Sequence, residues 1–357
     1  MNQAVPRSEV LIETCGALAL VTLNRPDAHN ALSLEMIREI RAALNGWAED
    51  ESIEAVLFMG AGDKAFCAGG DIKAFYYSGM DCRRGLVTPR VPMVFFGEEY
   101  ALNKQIFHYS KPTIAFMDGI TMGGGYGIAG HCKVRIASAR TVFAMPEVGI
   151  GFFPDVGSMC QLVRCPGNYG RYLALTGHHI DGKVMVAAGL ADFYIEDVQD
   201  LSQAVEQVLG GDDLSGALKT ALRGVDDFDL DHADVIESMF ADCNVSAICR
   251  RLRESDDDFA RETLAILETR SPISVMVVAA YLDKAQRLEF DEIITMDLAL
   301  CQKFILHQDM YEGIRAQLID KDKSPQWCYQ ALGDVSQALV DSYFTPCDYD
   351  LKDVRIF

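Results

Sequence analysis

The chain contains no apolar run long enough to cross a bilayer. Its longest apolar stretches, such as Ala17–Leu23 and Val275–Leu282, are much shorter than the roughly 20 residues that a transmembrane helix needs. Residues 1–16 lack a basic stretch followed by an apolar one, and they are not rich in Arg and Ser. Neither a signal peptide nor a transit peptide is therefore predicted. We expect a soluble, cytoplasmic protein without a membrane partner.

The sequence also lacks the short motifs of metal binding and of activated nucleophiles. Its eleven cysteines include no Cys-x-x-Cys pair, its seven histidines are scattered, and no His-Glu-x-x-His motif occurs. Reduced thiols and no metal site are therefore expected. Gly-x-Ser-x-Gly and Walker A motifs are absent as well. An α/β-hydrolase serine and a nucleotide-binding P-loop are thus both unsupported.

Positive charge is scarce and unevenly distributed. The chain carries 32 Lys and Arg against 52 Asp and Glu, a formal net charge of −20, so nucleic acid is not an expected partner. Residues 73–111 hold six basic and three acidic side chains, so an anionic ligand, if the protein binds one, is expected nearer to them, although a chance distribution of charge is the simpler interpretation. Residues 226–258 hold eleven acidic side chains and three Arg, for which a solvated face is the simpler interpretation. Within the first segment, Phe75–Gly97 is predicted to form an irregular surface insertion or lid that carries Arg83, Arg84 and Arg90.

The composition, 50% apolar and 24% charged, is that of a globular protein. The first half alternates strand-like and helix-like segments, which favours parallel strands joined by helices. Ser33 is predicted to cap a helix through Trp47, because apolar residues recur at helical spacing behind it. The other predicted elements are strands at Ala17–Leu23, Ala55–Gly60, Thr113–Asp118, Val134–Ala137 and Thr141–Ala144, and helices at Gly170–Thr176 and Gly182–Ala188.

The second half is predicted to be helical. Apolar residues recur there at helical spacing, and Pro272 is predicted to begin a helix that runs toward Leu288. Glu289–Leu306 is predicted to form another helix. We therefore divide the chain into an α/β core, residues 1–205, and a helical region, residues 206–357, that completes the site or makes oligomer contacts.

Two glycine-rich loops are candidates for ligand contact. Ala65–Ile72 reads AFCAGGDI and Gly119–Gly130 reads GITMGGGYGIAG. Such loops let the backbone approach a ligand and present N–H groups to a phosphate or an oxyanion. The simpler interpretation of the first is an ordinary tight turn. The second matches a dinucleotide fingerprint, but the strand that follows ends in Ser138 where an acidic residue is required, so NAD binding is not favoured.

Two carboxylates stand in the apolar stretch Met145–Gly157, MPEVGIGFFPDVG. They are Glu147 and Asp155. A carboxylate in apolar surroundings has a raised pKa and can exchange protons near neutral pH. Either residue alone is equally well interpreted as a helix cap. Two of them beside two donor loops indicate a catalytic site.

Taken together, these segments resemble the crotonase, or enoyl-CoA hydratase/isomerase, superfamily. The resemblance rests on LNRPDAHNAL at Leu23–Leu32, on AFCAGGDI, on KPTIAFMDGITMGGGYGIAG at Lys111–Gly130 and on MPEVGIGFFPDVG. Within the superfamily, the chain resembles the 3-hydroxyisobutyryl-CoA hydrolase branch over nearly its whole length. The segments FFGEEYALN, YLALTGHHIDG and YEGIRAQLIDKDKSPQW carry that closer likeness. The resemblance implies an α/β fold with a crotonase-like ββα spiral core and a helical C-terminal region.

The resemblance also implies roles for individual residues. Gly70 and Gly124 match the two backbone donors of an oxyanion hole, and Glu147 matches the catalytic glutamate. Asp155 matches the second acid of the hydrolases. The residues that match substrate contacts are Glu99, Gly69, Asp71, Ile72 and Gly123.

One departure from the hydratases distinguishes the branches. Hydratases carry a second catalytic Glu at the position of Gly127, and the hydrolase branch lacks it. The implied activity is hydrolysis of an acyl-CoA, 3-hydroxyisobutyryl-CoA above all, in valine breakdown. No cofactor is implied, and a homo-oligomer is a possible assembly. The alternatives are hydration, isomerisation or decarboxylation within the superfamily, and a non-catalytic protein that binds CoA.

Overall fold

The computed structural model describes residues 8–83, 90–196, 201 and 228–345. Its larger sheet has six strands in the order β1-β2-β3-β5-β7-β10, and its smaller sheet has four in the order β4-β6-β8-β9. The strands are β1 Val10–Cys15, β2 Leu18–Leu23, β3 Ala55–Gly60, β4 Ala65–Cys67, β5 Thr113–Met117, β6 Ile120–Met122, β7 Val134–Ser138, β8 Val142–Ala144, β9 Ile180–Asp181 and β10 Phe193–Ile195.

The chain alternates between the two sheets. Each of β3, β5 and β7 in the larger sheet is followed within a few residues by β4, β6 or β8 in the smaller one. The pairs along both series are parallel, whereas β1 with β2 and β8 with β9 are antiparallel. This repeated step winds the core into a spiral. It also brings the loops after β4, β6 and β8 to one side of the smaller sheet.

Fourteen helices of the described residues surround and extend this core. Those of the first half are α1 Leu34–Ala48, α2 Ile72–Arg83, α3 Arg90–Phe107, α4 Gly124–Ala129, α5 Met159–Leu162, α6 Tyr169–Thr176 and α7 Gly182–Ala187. Those of the second half are α8 Ala233–Met239, α9 Val245–Glu254, α10 Asp258–Glu268, α11 Pro272–Ala285, α12 Phe290–Phe304, α13 Gln308–Ile314 and α14 Gln337–Tyr343. A 3-10 helix at Glu147–Ile150 and a π-helix at Arg315–Ile319 complete the helices used below.

Helix α1 forms where the spacing predicts it. The hydroxyl of Ser33 accepts a hydrogen bond from the N–H of Met36 and satisfies one of the free donors of the first turn. The apolar side chains Met36, Ile37, Ile40, Leu44 and Trp47 are buried on one face. The predicted helix beginning at Pro272 is confirmed as well, with Ser271 as its N-cap.

The prediction of irregular structure is wrong for the described residues of Phe75–Gly97, and the prediction of a surface lid stays untested. Helices α2 and α3 occupy this range on both sides of residues 84–89, which lie outside the described residues. Gly79 lies inside α2. A Cβ at this position would overlap the ring of Tyr311, so glycine is the residue that leaves room for the ring. Pro92 falls in the first turn of α3, where a missing N–H costs nothing. The side chains of Arg83, Arg84 and Arg90 also lie outside the described part of the chain.

The acidic segment forms a solvated face, as its simpler interpretation predicted. All described Asp and Glu side chains of residues 228–258 are exposed. Among the residues that the structure describes, no single helix is long and apolar enough to cross a membrane. The bent pair α10 and α11 matches such a span by length and composition alone, and α11 is largely buried in the protein.

Candidate active site

Two backbone amides meet at the start of α4. Gly70 follows β4, and Leu32 holds the backbone on both sides of it. The N–H of Leu32 donates to the carbonyl of Gly69 at 2.8 Å, and the carbonyl of Leu32 accepts from the N–H of Asp71 at 2.8 Å. Gly124 opens α4, so its N–H has no partner within that helix. A Cβ added at Gly124 would lie 3.2 Å from the nitrogen of Gly70, which places the two amides side by side. Within the described residues neither N–H donates a hydrogen bond to the protein.

Glycine is required around these amides because other groups occupy the space. A Cβ at Gly124 would overlap the Oε1 atom of Glu99, and one at Gly70 would lie 2.9 Å from the ring of Phe95. Gly69 and Gly123 adopt φ of +105° and +49°, which side chains disfavour. A Cβ at Gly123 would also approach Oε1 of Glu147 to 2.8 Å.

Three carboxylates line the same space. Glu99 comes from α3, Glu147 begins the 3-10 helix, and Asp155 follows it on the next loop. Their exposed fractions are only 2%, 6% and 4%. The Cβ positions above place Glu99 against Gly124 and Glu147 against Gly123. Glu99 and Glu147 therefore flank the amide pair, and the electrostatic coupling of Asp155 to both places it nearby.

Burial raises the pKa of all three acids, and repulsion by neighbouring carboxylates adds to the shift at Glu147 and Glu99. Burial raises the pKa of Glu147 well above its usual range, and the charges of Asp155 and Glu99 raise it further. Burial and Asp155 likewise raise the pKa of Glu99. Burial raises the pKa of Asp155 to about 7, although a hydrogen bond from Tyr100 opposes the shift. The site thus holds groups that exchange protons near neutral pH.

The three acids differ in their hydrogen bonds. Oδ2 of Asp155 accepts from the hydroxyl of Tyr100 at 2.7 Å, wholly within the protein. Within the described residues, Oε1 of Glu99 and Oε2 of Glu147 are buried and have no hydrogen-bond partner. A buried oxygen without a donor is costly, and such atoms concentrate where a substrate or water supplies the partner.

Sequence reasoning missed Tyr100. Its hydroxyl donates to the Asp155 carboxylate at 2.7 Å, and the Tyr100 side chain is fully buried. It lies 55 positions from Asp155 in the chain, so no local motif joins the two. Its position next to Glu99 was the one available signal.

The other two predicted contact residues, Asp71 and Ile72, lie at the start of α2. The carboxylate of Asp71 pairs with Arg25 at 3.0 Å and accepts from the N–H of Ala74 at 3.2 Å. Its side chain thus fixes the Gly69–Gly70 loop against α2. The Cδ1 atom of Ile72 is 3.8 Å from a Cβ placed at Gly70, so its chain borders the amide pair.

The position of Gly127 has no room for a carboxylate. A Cβ there would lie 2.7 Å from Cβ of Val156 and 2.9 Å from Nδ2 of Asn103. The same Nδ2 donates to the carbonyl of Gly127 at 2.9 Å. The packing around α4 therefore leaves no space for a glutamate side chain at position 127.

One group outside the site has metal-ligand geometry. The ligand atoms of His307, Asp309 and Cys328 all lie within 4.8 Å of one another. Both oxygens of Asp309 already accept hydrogen bonds, from the hydroxyl of Ser271 at 2.7 Å and the N–H of Cys328 at 2.9 Å. Asp309 thereby links the start of α11 and the start of α13 to the segment around Cys328, which accounts for its burial. The absence of a metal site stays a prediction.

Paired amides beside buried acids are the arrangement typical of enzymes that stabilise a developing oxyanion. More particularly, the chain belongs to the enoyl-CoA hydratase/isomerase family, whose sequence profile matches residues 18–344. The resemblance to the crotonase superfamily is thereby confirmed.

Curated relatives align over nearly the whole chain. The mitochondrial 3-hydroxyisobutyryl-CoA hydrolase of Xenopus tropicalis is 40% identical, over 98% of this chain and 92% of that protein. The Danio rerio protein of the same name is 37% identical over 97% of this chain and 92% of that protein. The Homo sapiens protein of the same name is 37% identical over 94% of this chain and 88% of that protein.

Solved structures share the fold. A carnitinyl-CoA dehydratase from Mycobacterium thermoresistibile is 34% identical with a TM-score of 0.87, over 97% of this chain and 98% of that one. An enoyl-CoA hydratase from Rhodobacter sphaeroides is 32% identical with a TM-score of 0.83, over 95% and 98%. The predicted crotonase-like core with a helical C-terminal region is confirmed.

Proposed function

We propose that the protein hydrolyses acyl-CoA thioesters, with 3-hydroxyisobutyryl-CoA as substrate and 3-hydroxyisobutyrate and CoA as products. The observation that carries the proposal is the pair of free amides at Gly70 and Gly124, with Glu147 beside them. The names of the curated relatives support the same substrate, and valine breakdown is the pathway in which it occurs.

The first step is polarisation of the thioester. The carbonyl oxygen accepts hydrogen bonds from the N–H groups of Gly70 and Gly124, and both bonds strengthen as negative charge develops on it. Each such donor typically lowers the barrier by about 3–4 kcal/mol. Phe152 and Phe153, both buried, help to keep the surroundings dry.

Glu147 then acts by one of two routes. As a general base, it takes a proton from water while the water oxygen bonds to the carbonyl carbon, and the C–S bond of the resulting intermediate breaks. As a nucleophile, its carboxylate attacks the carbon, expels the thiolate and forms an anhydride that water cleaves. The raised pKa of Glu147 makes its ionised form a stronger base than an exposed glutamate.

Asp155 serves the leaving group or the acyl chain. With a pKa of about 7, it is protonated in part of the molecules and can donate to the departing thiolate. Its carboxyl can also bind the 3-hydroxyl of the substrate. Tyr100 holds it by one oxygen and leaves the other available.

Hydration of an enoyl-CoA is the second candidate, because the two solved relatives above bear hydratase and dehydratase names. The crowding at Gly127 argues against the two-glutamate mechanism. A protein that only binds CoA is less favoured, because two buried carboxylate oxygens that have no hydrogen-bond partner among the described residues would cost stability and gain no catalytic role.

The direct test compares the wild-type enzyme with Glu147→Gln on 3-hydroxyisobutyryl-CoA, with free CoA separated by chromatography. A thiol reagent is unsuitable because eleven cysteines could react. We expect CoA release by the wild type and a loss of about 10²- to 10⁴-fold in the variant. Tight binding without turnover by the wild type would contradict the proposal. The homo-oligomer and the cytoplasmic location stay predictions.

A further inference from the structure

The residue after Asp155 has an unfavourable backbone conformation. Val156 has φ of +54°, and a β-branched residue rarely adopts a positive φ. Gly157 follows at +74°, wedged where a Cβ would lie 2.6 Å from Phe290 and 3.0 Å from Nε2 of His131. Pro154 restricts the chain on the other side of Asp155. Such a backbone persists only where its surroundings hold it.

Two buried side chains hold opposite ends of the Val156–Gly157 peptide group. Its carbonyl accepts from Nε2 of His131 at 2.6 Å, and its N–H donates to Oδ2 of Asp297 at 2.7 Å. His131 is 4% exposed and Asp297 is fully buried. Rotation of this peptide group changes ψ of Val156 and φ of Gly157 and would break both bonds, so the two side chains fix the chain directly after the unfavourable φ of Val156.

Each of the two side chains is itself held by a further side-chain contact. A carbonyl only accepts, so Nε2 of His131 carries the proton, and Nδ1 accepts from Gln161 at 3.3 Å. Burial lowers the pKa of His131 to about 4, which keeps it neutral. The hydroxyl of Tyr281 lies 2.6 Å from Oδ1 of Asp297 and 3.1 Å from the carbonyl of Ile293. The Tyr281 hydroxyl donates to Oδ1 of Asp297 and leaves Oδ2 to accept from the N–H of Gly157.

These contacts link three parts of the site. His131 lies just beyond the end of α4, the helix whose first N–H is that of Gly124. Asp297 comes from α12, 140 positions after Gly157, in the helical C-terminal region. The orientation of this one peptide therefore sets where Asp155 stands relative to the amide pair.

We propose that Asp297 is a positioning residue, which together with His131 clamps the Val156–Gly157 peptide and so holds Asp155 in the catalytic site. The inference rests on the proposed hydrolase function for its kinetic consequence, whereas the clamp itself is a property of the folded chain. Asp297 touches no substrate atom in this scheme.

The test compares three variants with the wild type. Asp297→Leu keeps the approximate shape but removes the acceptor. Asp297→Asn keeps an acceptor for Gly157 and a donor for Tyr281. Tyr109→Phe is the matched control, because it removes a buried hydroxyl that bonds the carbonyl of Leu44 at 2.7 Å, away from the three acids. The readouts are kcat and KM for the hydroxyacyl-CoA and the amide hydrogen exchange of Gly157.

We expect Asp297→Leu to lower kcat about 30- to 100-fold with KM within about threefold, because displacement by about 1 Å has effects of this size. Asp297→Asn should stay within about threefold of the wild type, and Tyr109→Phe should match it. Gly157 exchange should accelerate in Asp297→Leu alone. Unchanged Gly157 exchange, or wild-type kcat in folded Asp297→Leu, would overturn the clamp.

Two further variants keep the test decisive if Asp297→Leu does not fold. Tyr281→Phe loosens Asp297 by one hydroxyl and should lower kcat about three- to tenfold, against no change in Tyr109→Phe. Val156→Gly places at φ of +54° a residue that adopts this angle readily. The backbone then needs less support from Asp297, so Tyr281→Phe should lower kcat by a smaller factor in the Val156→Gly background. Equal losses in both backgrounds would contradict the role. If the wild type releases no CoA but the amide hydrogen of Gly157 exchanges slowly, the hydrolase proposal is contradicted and the proposed clamp is supported.

Discussion

Replacing Gly124 by alanine perturbs the proposed oxyanion site with one methyl group. That methyl would overlap Oε1 of Glu99 and lie 3.2 Å from the nitrogen of Gly70, in the space where the thioester oxygen must accept both bonds. Loss of one oxyanion donor typically costs about 10²- to 10³-fold in kcat. We expect a loss in that range for Gly124→Ala, measured as CoA release at saturating substrate.

A matched control separates this effect from any glycine substitution. A Cβ added at Gly46, inside α1, meets nothing within 4 Å. Gly46→Ala should keep full kcat and raise the free energy of unfolding by about 0.5–1 kcal/mol, because alanine favours a helix over glycine. A folded Gly124→Ala enzyme with kcat close to that of Gly46→Ala would refute the role of the amide pair.

Other predictions address the acids and the acyl group. Tyr100→Phe removes the hydrogen bond that lowers the pKa of Asp155, so that pKa should rise above about 7. The limb of the pH–rate profile that reports Asp155 should then move to higher pH. A limb at the same pH in the variant would show that it does not report the titration of Asp155. Because folding raises the pKa of Asp155, the folded state holds the extra proton, and the free energy of unfolding should fall as pH rises from about 4 to about 7. Asp155→Asn should flatten that dependence, and an equally steep slope in the variant would assign it to other groups. Isobutyryl-CoA, which lacks the hydroxyl, should have kcat/KM lower by at least about 10²-fold if Asp155 binds that hydroxyl; comparable values for the two thioesters would exclude this contact. Gly127→Glu should destabilise the fold through the clash with Val156 and yield no hydratase, as thermal unfolding and product analysis would show.

Local patterns were sufficient for much of the fold and for the two donor loops. Helix α1 follows from a capping Ser33 and regular apolar spacing, and both survive in the structure. The short strands β4 and β6 were not predicted separately, because three residues carry too little periodicity. Phe75–Gly97 was misjudged because tertiary packing by Tyr311 outweighs the helix-breaking tendency of Gly79.

The relations between distant residues were beyond local patterns. Tyr100 meets Asp155 across 55 positions, and Asp297 meets Gly157 across 140. Nothing near either residue in the sequence indicates its partner. Only the spiral of the core and the packing of α12 bring them together.

The most direct test of the central claim is the identity of the products formed from two substrates. The wild-type enzyme is incubated with 3-hydroxyisobutyryl-CoA and, separately, with crotonyl-CoA, and the products are resolved by chromatography. The account predicts free CoA from the first substrate and no hydrated product from the second. Hydrated product from crotonyl-CoA with no free CoA from 3-hydroxyisobutyryl-CoA would contradict it and would require a second base that is not at Gly127.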